Sequence, residues 1–366
     1  MERCFDFPSG DRLVCTEKAA IITFSGARAV LSSGALGGGM RYDLTAAFNY
    51  SDCGRAGICS PMDGRSMAEH QAAAAIKLGL DPGHVTGLDT AANLDNMAVS
   101  VKRYGRMWAA AAVSGGADVN AMCAGDPSSL TERGGEPCPL APGTINIFLL
   151  AGPAMAPGAM TELAIVAAEA KAALLRDWMQ GSCASSALAT GTGTDGIVVI
   201  CPHGGGALIN GGKHFKIAEL AALAVREAAA EALYRQTGFC PESQHSVLSR
   251  LRRFGITSET IRAQCLSETP ASAGRFRRTL EYLDKDGFMV AAVSLYVHLI
   301  DQLSSGLLSP GEAEDWFGHL AGEILRHYNS SAPYDTSLPP AGRINALICG
   351  MICENLREQA RLYPEP

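Results

Sequence analysis

The chain has 366 residues, 47% of them hydrophobic and 18% charged, enough for two core-bearing domains or one large one. Its net charge of −7 argues against general affinity for nucleic acid or an anionic membrane surface. The first residues carry no basic run followed by an apolar one, and the most apolar region, 143–175, is interrupted by Pro153, Pro157 and glycines, so neither a secretory leader nor a membrane span is expected.

Three short apolar runs open the chain at Leu13–Cys15, Ala20–Phe24 and Ala29–Ser32 and read as paired strands. Ser32 and Ser33 then lead into Gly34-Ala35-Leu36-Gly37-Gly38-Gly39, whose amides could receive an anion or an oxyanion; a flexible turn has the same composition. Met40–Tyr50 is strand-like, Ser66…Glu69 is a capping box for a helix to about Leu78, and Val85–Leu88, Met97–Tyr104 and Met107–Val113 are strands. Residues 125–142 read as loop, Thr144–Leu150 as a strand and Gly158–Trp178 as a helix. Ala189-Thr190-Gly191-Thr192-Gly193-Thr194-Asp195-Gly196 leads into the strand 196–201. Beyond it, Gly204–Gly206 and Gly211-Gly212 bracket a short hairpin, and Lys213-His214 opens a long Ala-rich helix to about Gln236.

Residues 40–103 and 143–201 share one order of elements, and Thr90…Asp95…Val99 matches Thr190…Asp195…Val199 in spacing, which suggests duplicated β-α-β-β units. After Gly238 only helical stripes remain, at 243–254, 258–266, 273–284, 287–304, 310–328 and 341–360. The expected fold class is α+β: a mixed-sheet core with flanking helices over 1–238, then an all-α domain over 239–366. Arginines make the start of the helical part locally basic, but the segment is net acidic, so a solvated face outweighs a helix-turn-helix. Twelve scattered cysteines without clustered histidines read as reduced, mostly buried thiols of a cytoplasmic protein, and no metal is expected.

Seven stretches, in order, resemble the adenosylcobinamide amidohydrolase family: LSSGALGGGM (31–40), TGLDTAANLDN (86–96), DVNAMCAGD (118–126), PGTINIFLL (142–150), AAEAKAALL (167–175), ATGTGTDGIVV (189–199) and GGKHFKIAELAALAV (211–225). They cover about residues 10–236. The resemblance implies hydrolysis of the amide joining a corrin propionate to aminopropanol, which converts adenosylcobinamide to adenosylcobyric acid for cobalamin salvage. The corrinoid is then substrate, with no cofactor, no nucleic-acid partner and no membrane, and a homo-oligomer is left open. Gly37 stands where the family carries Asn, and the strand after it lacks the family's His.

Amide hydrolysis needs an activated water or nucleophile, donors for the oxyanion and a proton for the leaving amine. His214, at an expected helix start beside Lys213, is the candidate for proton transfer. Asp195 is expected to orient His214 or bind the aminopropanol end; a turn acid bonded to its own backbone is the commoner role. Asn146, mid-strand between Ile145 and Ile147, either faces water or points into a site. Thr192 and Thr194 are donors to the amide or plain turn hydroxyls. The resemblance adds Gly38, Gly39, Asn120, Thr144, Gly193, Lys213 and Glu169 as substrate contacts, with Ser32 and Ser33. By spacing alone Glu169 and Lys171 do not share a face, and Glu162 aligns with Glu169 on what reads as a solvated one. Two rival readings stand beside the hydrolase: a corrinoid-binding sensor or carrier that has lost catalysis, and an amidase for another substrate.

Overall fold

The computed structural model describes residues 3–53, 61–128, 144–268 and 273–362. The chain divides into two compact units, Met1–Ala184 with Leu188–Cys240 and Ser185–Ala187 with Pro241–Pro366.

The first unit runs β1 (Arg3–Asp6), β2 (Arg12–Cys15), β3 (Ala19–Thr23), β4 (Arg28–Ser32), β5 (Gly39–Arg41), β6 (Ala46–Ser51), α1 (Met67–Lys77), β7 (Val85–Thr90), β8 (Ala98–Tyr104), β9 (Met107–Gly115), β10 (Ala121–Met122), β11 (Ile145–Ala151), α2 (Pro157–Asp177), β12 (Gly191–Thr192), β13 (Gly196–Pro202) and α3 (Lys216–Thr237). Among the described residues two sheets result, ordered β1-β2-β3-β6-β7 and β5-β4-β13-β11-β9-β8, with a two-residue ribbon of β10 and β12. In each sheet one pair is parallel, β6 with β7 and β11 with β13. A parallel pair needs a crossover, and α1 and α2 supply them.

The topology does repeat, in a different frame from the one the loops suggest. β2-β3-β6-α1-β7 and β8-β9-β11-α2-β13 share hairpin, antiparallel third strand, helix and parallel fourth strand. The unit is therefore β-β-β-α-β. Thr90 ends the fourth strand of the first repeat, whereas Asp195 precedes the fourth strand of the second, so the two Thr…Asp loops are not equivalent. Threonine, glycine and aspartate recur in tight turns of any kind, and their spacing carries little about strand order.

The layers follow from alternation along the strands. In β11, Phe148 and Leu150 face the first sheet, with Val198, Ile200, Ala47, Ile22 and Leu88 in one core. Ile145, Ile147 and Leu149 point the other way, onto α2 and α3. On the far side of the first sheet, Ala46, Phe48 and Val85 pack on Ala74 and Ala75 of α1. The order is α1, sheet, sheet, then α2 and α3. β9 carries Ala109–Ala112, all fully buried, and α3 meets it with Ala221, Ala224 and Ala228. Small side chains on both surfaces let the helix lie close to the strand.

The second unit is all helical among the described residues: α4 (Pro241–Gln244), α5 (Val247–Leu251), α6 (Ser258–Glu268), α7 (Ala273–Lys285), α8 (Gly287–Ser304), α9 (Pro310–His327) and α10 (Pro340–Leu362). Asp286 caps α8, and Ser309 with Glu312 forms the capping box of α9. α8 is long and apolar enough to span a bilayer by length and composition, the one such helix among the described residues. Its Met289, Val293, Tyr296 and Val297 are buried in this unit's core with Phe317, Ile344 and Ile348.

Three local expectations are corrected. Residues 203–215 form no hairpin; Leu208 makes a single bridge to Met155 instead. α3 starts at Lys216 behind the N-cap Phe215, which leaves Lys213 and His214 outside it. Cys53 is disulfide-bonded rather than reduced, while Cys15, Cys201, Cys265, Cys349 and Cys353 are buried free thiols.

Because the Ala109–Ala112 layer leaves no spare volume, Ala111→Leu should cost about 1–3 kcal/mol. A urea titration with an unchanged midpoint would contradict the close packing.

Candidate active site

Polar side chains gather where the C-terminal ends of β6 and β7 lie against the starts of β11 and β13. Asn146 is buried and faces the first sheet; its Nδ2 donates to Asn49 Oδ1 at 3.0 Å and to the Asp89 carbonyl at 2.8 Å. Asn49 Nδ2 donates in turn to Ser114 Oγ at 2.8 Å. Thr144 Oγ1 donates to the Thr194 carbonyl at 2.7 Å and stands 3.5 Å from Asn146 Oδ1. A Cβ on Gly196 would come within 2.8 Å of that oxygen, so glycine there makes room for the amide.

The serine–glycine stretch after β4 docks on β7. Ser32 Oγ lies 2.6 Å from Thr86 Oγ1, which donates to the Leu36 carbonyl at 3.0 Å, and Ser32 Oγ accepts from the Gly34 amide. Ser33 Oγ accepts from the Ile197 amide at 2.9 Å. Gly37 has φ +62°, and a Cβ there would lie 2.2 Å from the Val85 carbonyl. The Gly34 amide is thus already engaged, and the stretch is a backbone-on-backbone splice rather than an open anion nest. Gly38 and Gly39 close it by returning to β4, where Gly39 pairs with Ser32.

Asp195 is the anchor of the Gly-Thr loop. Its carboxylate accepts from the Ile145 amide at 2.9 Å, the Thr192 amide at 3.0 Å and Thr192 Oγ1 at 2.6 Å, and it pairs with Lys171 Nζ. Gly193 and Thr194 are the exposed tip of the loop so held, and Asn120 is buried just before β10. Glu169 lies on an exposed face and pairs with Lys213 at 2.6 Å. Lys171 is buried, contrary to the solvated face read for this stretch. The signal was present: Ala167, Lys171 and Leu175 follow one another at helical spacing on the buried stripe of α2.

His214 is not brought together with Asp195. It is exposed and precedes α3, whose first residue, Lys216, stands over the Tyr104 ring at the β8–β9 turn. The opposite end of β9, at Gly115, pairs with Ile145 beside Asn146 and Asp195. No hydrogen bond or ion pair joins His214 to Asp195; its neighbour Lys213 reaches Glu169, two residues along α2 from the Lys171 that holds Asp195.

A second group of titratable side chains, absent from the sequence reading, adjoins the seam. Asp52 continues from β6, His70 lies on α1, and Asp89 is on β7. His70 is 1% exposed; its Nδ1 accepts from the Asp63 amide at 2.9 Å. Its Nε2 stands 3.1 Å from Asp52 Oδ1 and 3.8 Å from Asp89 Oδ1. Gln71 donates to the other oxygen of Asp89. Burial pushes both carboxyls up, and Asp89 reaches about 6. His70 and Gln71 share the buried stripe of α1 with Ala74 and Ala75, so two polar residues on an apolar stripe were the available clue. Among the described residues no three ligating side chains converge as a metal site would require.

The first unit is thus an α+β sandwich with a buried polar seam and a cluster of perturbed carboxyls beside it, the combination expected of an enzyme site. Residues 5–241 match the family described as adenosylcobinamide amidohydrolase, and the chain belongs to that family. An uncharacterized protein of Methanocaldococcus jannaschii is 33% identical over 171 residues, 44% of this chain and 67% of that relative.

Two outcomes follow for stability. Asp195→Ala strands the buried Lys171 ammonium and unties the loop, so it should cost about 3–5 kcal/mol in chemical denaturation; a loss below 1 kcal/mol would remove the anchor role. For Asp89, the folded carboxyl lies above its unfolded value of about 4. Its contribution to stability is therefore fullest below pH 4 and is lost as pH rises through 6. Relative to Asp89→Asn, the parent should lose up to about 3 kcal/mol between pH 4 and 7; parallel stability–pH curves would refute this.

Proposed function

We propose that this chain hydrolyses the aminopropanol amide of adenosylcobinamide and releases adenosylcobyric acid, a step of corrinoid salvage. The observation that carries the reading is the family match over 5–241, which spans every element of the seam. The reaction class also suits the local chemistry. Titratable groups raised by burial lie next to a rigid set of amide and hydroxyl donors, and an exposed loop tip at Gly193 and Thr194 is available to contact the substrate. On this reading the corrinoid is a substrate, and no cofactor takes part.

A second reading, a corrinoid-binding protein without turnover, is favoured by one feature. The backbone at Gly37 is built around the absence of a side chain, because a Cβ would strike the Val85 carbonyl. The Asn that the family resemblance leads one to expect there cannot be accommodated without moving β7.

Incubation of the purified full chain with adenosylcobinamide, followed by mass spectrometry, is expected to yield adenosylcobyric acid and free aminopropanol. Binding seen by calorimetry without product would replace the first reading with the second. Neither binding nor product would remove both.

A further inference from the structure

Asp52, His70 and Asp89 come from three elements and are brought to one point by the docking of α1 on β6 and β7. They differ in access. The His70 side chain is 1% exposed and that of Asp89 13%, whereas that of Asp52 is 20% exposed. Asp52 is thus the outward member, with the imidazole behind it.

The imidazole is aimed. Since Nδ1 accepts from the Asp63 amide, the ring proton of a neutral His70 resides on Nε2. Nε2 faces both carboxylates but lies in hydrogen-bond line with neither, and Asp89 Oδ1 likewise lacks a partner. Buried polar atoms left in this way are uncommon and mark sites held ready for another group. The backbone is fixed: the Asp52 amide donates to the Thr90 carbonyl, extending the β6–β7 ladder. Asp195, the other acid near the seam, spends its carboxylate on three hydrogen bonds and an ion pair.

We infer that Asp52 is the general base of the amide hydrolysis, with His70 as its positioning residue. This rests on the reading of the chain as an amidohydrolase. A water held by the outward oxygen of Asp52 adds to the amide carbon and gives its proton to the carboxylate. The C–N bond then breaks as Asp52 returns that proton to the departing nitrogen. The new carboxylic acid loses its proton to the free amine, so one water is consumed and one carboxylate and one ammonium are formed. His70 Nε2, 3.1 Å from Asp52 Oδ1, turns into hydrogen-bond line with that oxygen as the water binds and keeps it in place. Asp89, from β7, faces the same Nε2 at 3.8 Å, and the negative charge of Asp52 is one of the causes that raise it. Among the described residues, the other charged groups facing the cluster are Asp63 and Lys77, paired at the surface at 2.5 Å.

The test uses the full chain with adenosylcobinamide. Asp52→Asn should lower kcat by about 10²-fold or more with KM little changed and the melting temperature retained. His70→Ala should lower kcat with KM little changed, and His70→Gln, which keeps an N–H donor facing Asp52, should recover most of the loss. A purely structural His70 would give the same kcat in both variants. If the parent turns over and a folded Asp52→Asn variant matches it, the assignment falls while the activity stands. If Asp52→Asn does not fold, the two His70 variants decide, and equal kcat in both overturns the proposal. A parent without turnover removes the underlying reading and this assignment with it.

Discussion

The carboxamides of Asn49 and Asn146 meet at 3.0 Å between the two sheets, where neither reaches water. A buried amide without partners costs a few kcal/mol, so each must be satisfied by the other sheet. That requirement fixes how the sheets stack. β6 must present Asn49 opposite Ser114 of β9, and β7 must bring its Asp89 carbonyl to Asn146. Phe148, Leu150, Val198 and Ile200 then fill the rest of the layer with apolar contact that has no directional preference of its own.

Around this seam the remaining polar groups play two distinct parts. Asp195, Lys171, Thr192 and Thr144 saturate one another and hold a loop. The network is closed, and closed networks rigidify. Asp52, His70 and Asp89 form an open one, in which His70 Nε2 and Asp89 Oδ1 face each other without a hydrogen-bond partner. Rigid, satisfied groups on one side and poised, desolvated ones on the other are what a hydrolytic site asks for, since proton transfer needs groups whose preferred state is finely balanced. The two sets are linked at a single residue: the Asp89 backbone serves the seam while its side chain serves the cluster.

Much of the architecture was legible from pattern. The helices of the second unit lie close to their periodic stripes, and the alternation in 144–150 places Asn146 on a face of its own, opposite Ile145 and Ile147. The glycine-threonine loop reads from sequence as a polar turn into a buried strand, and in the structure the Asp195 carboxylate anchors it. Lys213 and His214 look like a helix start in sequence, and the real one lies two residues on, behind Phe215. His70 was passed over because a histidine in an Ala-rich helix reads as surface until the buried side of that helix is known.

The sequence by itself determined most of the elements, the fold class and the family, because these depend on local periodicity and on runs of residues read in order. Tertiary structure decided which polar groups meet. Asn49 with Asn146, Lys171 with Asp195, and His70 with Asp52 and Asp89 are separated by 18 to 97 residues, and each contact depends on sheet stacking or helix docking. Alternation says only that a side chain lies on one face or the other. What stands opposite it is set by how two faces register, and that is settled by burying apolar area while leaving no amide unsatisfied.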